Sequence, residues 1–156
     1  MSLTSNCIVP FSLTKRNDLG NAYANINLIA STNAKYVPQI INNNSSINFN
    51  QYTKLLSIAW LTSNTLTFLK NGTFRIQFFI NYTALVGTLK IALYVNGNPI
   101  TGTFDTTITE GQINGEFTVK LLTSDKIQLI NIGDSFTITP VQINQILANI
   151  TVTEIN

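Results

Sequence analysis

A period of two in the apolar residues commits a chain to strands, and one stretch of this sequence keeps that period at length: Phe68 to Thr83, FLKNGTFRIQFFINYT. Phe74, Ile76, Phe78 and Ile80 alternate with Arg75, Gln77, Phe79 and Asn81, which marks a strand with one face in a core. Lys70-Asn71-Gly72 reads as the tight turn ahead of it, because glycine takes positive φ without steric cost and asparagine tolerates it. The outward row is only partly polar. Phe79 and then Tyr82 break the alternation, so the second face of this strand is expected to touch protein too, in part against copies of the same chain.

The same period recurs along the chain between turn signals. Tyr23 to Ala30 sets Ala24, Ile26, Leu28 and Ala30 against Tyr23, Asn25, Asn27 and Ile29. Tyr36 to Ile41 is a short apolar piece that Pro38 makes an edge strand or an irregular segment, and Asn42 to Ser46 is a loop by composition. Ile47 to Phe49, Leu55 to Leu61 and Thr65 to Leu69 are further strand candidates. Leu55 to Leu61 also admits a helical turn, but no cap pattern precedes it, and a strand is the preferred reading. After the central strand, Thr88 to Val95 alternates and runs into Asn96-Gly97-Asn98-Pro99, a strong hairpin signal. Phe104 to Ile108, Glu116 to Leu122, Lys126 to Ile132, Phe136 to Thr139 and Ile146 to Thr153 complete the set, parted by Glu110-Gly111, Ser124-Asp125, Gly133-Asp134 and Pro140. Roughly nine or ten short strands with turns every eight to twelve residues predict an all-β sandwich, of two sheets in a jelly roll. Residues 1–22, with Pro10, Gly20 and little periodicity, are expected to form an extended arm, and 23–156 the domain.

Composition narrows the function. Only 10% of the 156 residues are charged, against about 25% in a typical soluble domain. Such an Asn- and Thr-rich surface gives little colloidal repulsion and suits a protein that lives packed in an assembly; drift in an AT-rich genome produces the same bias. The net charge is +2 and Lys15-Arg16 is the only adjacent basic pair, so nucleic acid and anionic lipid are not expected partners. No apolar run reaches the length of a membrane-spanning helix, and MSLTSNCIVPFSLTKRND lacks the layout of a secretion signal. Cys7 is the only cysteine, which excludes an internal disulfide; it is either an inert thiol or an intermolecular cross-link.

Chemistry is hard to place. The chain has no histidine, which removes Ser-His and Cys-His nucleophile pairs and the commonest metal ligand. The carboxylates Asp18, Asp105, Glu110, Glu116, Asp125, Asp134 and Glu154 fall almost all at predicted turns or strand ends, with no glycosidase-like or calcium-loop spacing. Gly111 and Gly115 are expected to be turn glycines, and the Asn-x-Ser/Thr triplets are assigned no role. No enzyme activity, cofactor or metal is expected.

From about Tyr23 to Asn156 the chain resembles bacterial jelly-roll domains of the complement and tumour-necrosis-factor type. It is most similar to exosporium proteins of spore-forming bacteria, the carboxy-terminal head of the collagen-like glycoprotein BclA and the short basal-layer type BxpB. Asn71-Gly72-Thr73-Phe74-Arg75-Ile76 resembles that family's glycine-aromatic-x-isoleucine strand, and Leu93-Tyr94-Val95-Asn96-Gly97-Asn98-Pro99-Ile100 its Val-Asn-Gly-x-Pro turn. Gly115 to Leu129 and Ala148-Asn149-Ile150-Thr151-Val152 follow in family order, although Ser124-Asp125 replaces the usual Gly-Asp and no collagen-like repeat precedes the domain. The resemblance implies a homotrimeric structural protein of the spore surface, with other exosporium proteins as partners. Its trimer contacts would come from Trp60, Phe79, Tyr82 and Tyr94, aromatics the alternation leaves off the main core, for which ordinary second-sheet or loop packing is the other reading. The runner-up function is a head that binds a glycan or receptor, as phage fibre tips do.

Overall fold

The computed structural model describes residues 21–30, 39–140 and 144–155, and all regular structure there is extended. Fourteen strands are found among the described residues: β1 (Tyr23–Ile29), β2 (Gln39–Ile41), β3 (Ser45–Ser46), β4 (Gln51–Leu56), β5 (Ile58–Thr62), β6 (Thr65–Phe68), β7 (Gly72–Tyr82), β8 (Ala84–Leu85), β9 (Leu89–Val95), β10 (Asn98–Thr106), β11 (Gly111–Leu121), β12 (Lys126–Asn131), β13 (Phe136–Ile138) and β14 (Ile146–Ile155). They outnumber the strands expected from the sequence because β3 and β8 are two-residue pairings and one expected strand divides.

β11, β7, β14, β1 and β4 form one sheet in that order. β10, β9, β12, β6 and β5 form the facing one, to which β3 adds through β12, while β2, β13 and β8 make a small third sheet. The pairs are antiparallel throughout. β7 is the spine: it pairs with β11 from Gly72↔Leu121 to Tyr82↔Gly111 without a break, and with β14 on its other side. The alternation read in β7 holds, because Phe74, Ile76, Phe78 and Ile80 are buried, as are Ala24, Ile26, Ala148, Ile150 and Val152 of β1 and β14 in the same sheet. Leu89, Ile91 and Leu93 of β9, with Ile127 and Leu129 of β12, meet them from the second sheet. At about 1.5–3 kcal/mol per buried large side chain, this two-sided core is the main stabilising contribution.

Each open edge of the sandwich is closed by aromatic rings. At the β4/β5 edge Tyr52 stands edge-on to Trp60 at 5.8 Å. At the β10/β11 edge Phe104 meets Phe117 at 5.2 Å and Phe78 at 5.5 Å. Gly115 makes the second closure possible. It lies in mid-strand, not in a turn as expected, and a Cβ there would come within 2.6 Å of the Phe104 ring.

Three more expectations are corrected. Leu55 to Leu61 is not one strand: Ser57, at φ 56°, breaks it, sending β4 to one sheet and β5 to the other. Ile47 to Phe49 makes no strand, although Ile47 and Phe49 are buried. Gly72 has no positive φ; it opens β7, where a Cβ would lie 3.0 Å from the Glu154 carboxylate and 3.1 Å from the Phe74 ring. The hairpin signal at Asn96-Gly97 does hold, with φ of 51° and 81° as a type I′ turn requires.

Candidate functional site

The outer face of the β11-β7-β14-β1-β4 sheet carries the outward row of each strand. On β1 and β14 that row includes Asn25, Asn27, Asn149 and Thr151, and their side chains close a ring of hydrogen bonds. Asn25 Nδ2 donates to Thr151 Oγ1 (3.1 Å), and Thr151 Oγ1 to Asn149 Oδ1 (3.0 Å). Asn149 Nδ2 donates to Asn27 Oδ1 (2.7 Å), and Asn27 Nδ2 returns to Asn25 Oδ1 (2.9 Å). Thr53 of β4 donates to the same Asn25 oxygen. Register explains the ring: Asn25 lies opposite Thr151 and Asn27 opposite Asn149, so four short polar side chains share one face at close cross-strand spacing. Farther across, Gln77 donates to Glu116, Arg75 pairs with Glu116 at 3.5 Å, and Gln112 donates to Asn81. A polar face whose groups satisfy each other can be covered without leaving orphan donors or acceptors.

Phe79 stands in the middle of that face, between Asn114 of β11 and Asn149 of β14. It is partly exposed, as the outward row requires. The other aromatics singled out in the sequence are elsewhere. Tyr82 is a correction: it continues the even-numbered inward row, is 3% exposed, packs edge-on to Phe136, and donates its hydroxyl to Ile108 O at 3.0 Å. The alternation runs through it unbroken. Tyr94 lies on the second sheet, on the row opposite to buried Leu93, between Pro99 and Gln128. Trp60 is at the β4/β5 edge. The four therefore belong to four places, and no single patch holds them. Cys7 lies outside the described residues, as does most of the arm.

The sheet face borders a cleft of about 390 Å³ between the edge strands β10 and β11. Ile100, Thr103, Phe104, Phe117, Glu116 and Lys120 line it. β10 loses register between Pro99 and Thr103, with Gly102 at φ 103°, and the bulge opens the mouth.

One of the carboxylates expected at turns or strand ends points inward. Glu154 lies on the inward side of β14, where its Oε2 accepts from Lys70 Nζ at 2.8 Å and from Ala22 N at 2.7 Å. The Lys70 hydrogen bond holds its carboxyl below the ordinary range, against burial, which raises it. Sequence reasoning missed this pair because Lys70 and Glu154 are 84 residues apart. Its only signal was a charge in the apolar register of the last strand. Among the described residues no three of His, Cys, Asp and Glu come together as a metal site would need.

No protein-family profile matches the chain and no curated protein does. Solved structures do. The globular domain of the zebrafish complement 1qA protein superposes with a TM-score of 0.60 at 11% identity, over 86% of this chain and 98% of that one. Eiger TNF from S. frugiperda gives 0.64 at 9%, over 87% and 93%. Murine APRIL gives 0.58 at 6%, over 87% and 100%. These superpositions and the sheet order agree: the chain has the two-sheet jelly-roll β-sandwich of the tumour-necrosis-factor and complement type.

Proposed function

We propose that the protein is a non-enzymatic structural subunit that assembles as a homotrimer through the outer face of the β11-β7-β14-β1-β4 sheet. One observation carries the reading: the face combines a partly exposed aromatic, Phe79, with a polar ring already closed on itself at Asn25, Thr151, Asn149 and Asn27. Packing it against a sister subunit removes apolar surface from water without breaking hydrogen bonds. The sequence resemblance to exosporium proteins supports a place in the outer layer of a bacterial spore, with other layer proteins as neighbours and Cys7 available for cross-linking. Light scattering tests the assembly. Phe79→Glu should reduce the mass from that of a trimer to that of a single chain, whereas Tyr94→Glu, on the opposite sheet, separates a face-specific effect from a general one. A native chain that is monomeric at all concentrations removes the proposal, and immunogold labelling that finds no protein on spores removes its location.

The second reading, a binding head, is favoured by the cleft between β10 and β11, whose rim sets Thr103, Glu116 and Lys120 beside an aromatic floor, as a glycan site needs. Glycan-array binding without spore association would support it over the first.

A further inference from the structure

The long strands run between the same two poles of the sandwich, so the registers sort loops and charges to one pole or the other. β1 begins and β14 ends at the first pole, where Lys54, Lys70, Lys120 and Lys126 stand against Asp125 and Glu154. The cations outnumber the anions and leave it positive. Arg75 and Glu116 neutralise each other nearby. At the second pole Lys90 stands against Asp105, Glu110 and Asp134, and the balance is negative. The described domain is therefore a charge dipole along its strands.

Both poles also expose aliphatic side chains on loops that are already fixed. At the second pole Val86 is 88% and Ile108 66% exposed. The loop after Val86 is held by Asp134 Oδ2, which accepts from Thr88 N at 2.7 Å, and Ile108 by the Tyr82 hydroxyl on its carbonyl. At the first pole Leu69 and Leu122 are each 56% exposed. Asn71 Oδ1 accepts from Thr123 N at 2.6 Å, Asp125 Oδ2 accepts from Leu122 N at 2.7 Å, and Ser124 N donates to Phe68 O. Exposed aliphatics on pinned loops lose little entropy when covered.

We propose that the two poles bind each other between copies of this chain. Val86 and Ile108, with the acidic groups around them, seat on Leu69, Leu122 and the lysines of the next copy, which stacks copies head to tail along the strand direction. Opposite charge fixes the orientation, since like poles repel. Such an interface is heterologous and does not close, so it builds an open row. It uses the poles and not the sheet face, and goes beyond the trimer without depending on it.

Sedimentation velocity on the full chain tests the stacking. The mass should grow with concentration at low ionic strength and fall as salt is added. The double variant Val86→Lys with Ile108→Lys removes the apolar tips and sets like charge against the lysine pole; it should raise the concentration needed for growth about tenfold or more. Lys120→Glu with Lys126→Glu, which sets acid against the acidic pole, should do the same from the other pole. In Phe79→Glu the rows should persist with single chains as the repeating unit, so loss of the trimer and loss of the rows are read separately. Absence of growth in the native chain, or growth untouched by the Val86 and Ile108 changes or by the Lys120 and Lys126 changes, overturns the proposal.

Discussion

Glu154 occupies a place where the inward row of β14 would otherwise hold another aliphatic side chain. It stays ionised there because Lys70 and the Ala22 amide both donate to it, and the backbone returns the bond from Glu154 N to Ala22 O. Gly72 leaves the room it needs. Removing the charge in Glu154→Gln keeps the shape but leaves the Lys70 ammonium unpaired, and should cost about 1–3 kcal/mol in chemical denaturation. The pH dependence has a definite sign. The folded carboxyl titrates below its ordinary value of 4.5, so the contact contributes its full stability above that value and loses it as pH falls through the lower, folded one. Thermal melts taken downward in pH should show a steeper acid loss in the native chain than in Glu154→Gln, and parallel curves would refute the assignment.

At the scale of elements, Ser57 does most to make a sandwich from a line of strands. One residue at φ 56° separates β4, paired with β1, from β5, paired with β6. The chain crosses from sheet to sheet in a single step. A β-branched residue is strained in that left-handed conformation. Ser57→Val should therefore lower stability by about 1–3 kcal/mol, seen as a shifted denaturation midpoint with unchanged slope, whereas Ser57→Gly should be tolerated. The alternation in Leu55 to Leu61 could not reveal this break, because a period of two reports which residues share a face and says nothing of which sheet owns the face. Gly115 was unreadable for a related reason. Its role is defined by Phe104, a ring from the other sheet that arrives over it.

At the scale of the molecule, the first and last described strands are neighbours. β14 lies between β1 and β7, with Val152 opposite Ala24 on one side and Ile150 opposite Phe78 on the other. A chain ended before Ile146 loses the strand that joins the halves of the β11-β7-β14-β1-β4 sheet and exposes two long edges. It should fail to fold, visible as loss of dispersed amide resonances and of a cooperative melt; a native-like spectrum would show that β14 is dispensable. With Cys7 the only cysteine, no internal disulfide replaces that closure.

Alternation, turn chemistry and scarcity of charge are enough to read an all-β sandwich, the inward rows of β7, β9 and β14, and the Asn96-Gly97 turn, since each is written in residues adjacent along the chain. The aromatics are less readable: Phe79 is rightly placed outward, but Tyr82 is misread although its position in the alternation already puts it inward. Only the tertiary structure decided the rest, namely the ring of Asn25, Thr151, Asn149 and Asn27, the Lys70–Glu154 pair, and the sorting of charge to two poles. All three depend on which distant strands pair and in what register, and pairing is settled by the joint burial of many segments at once, not by the local pattern of any one of them.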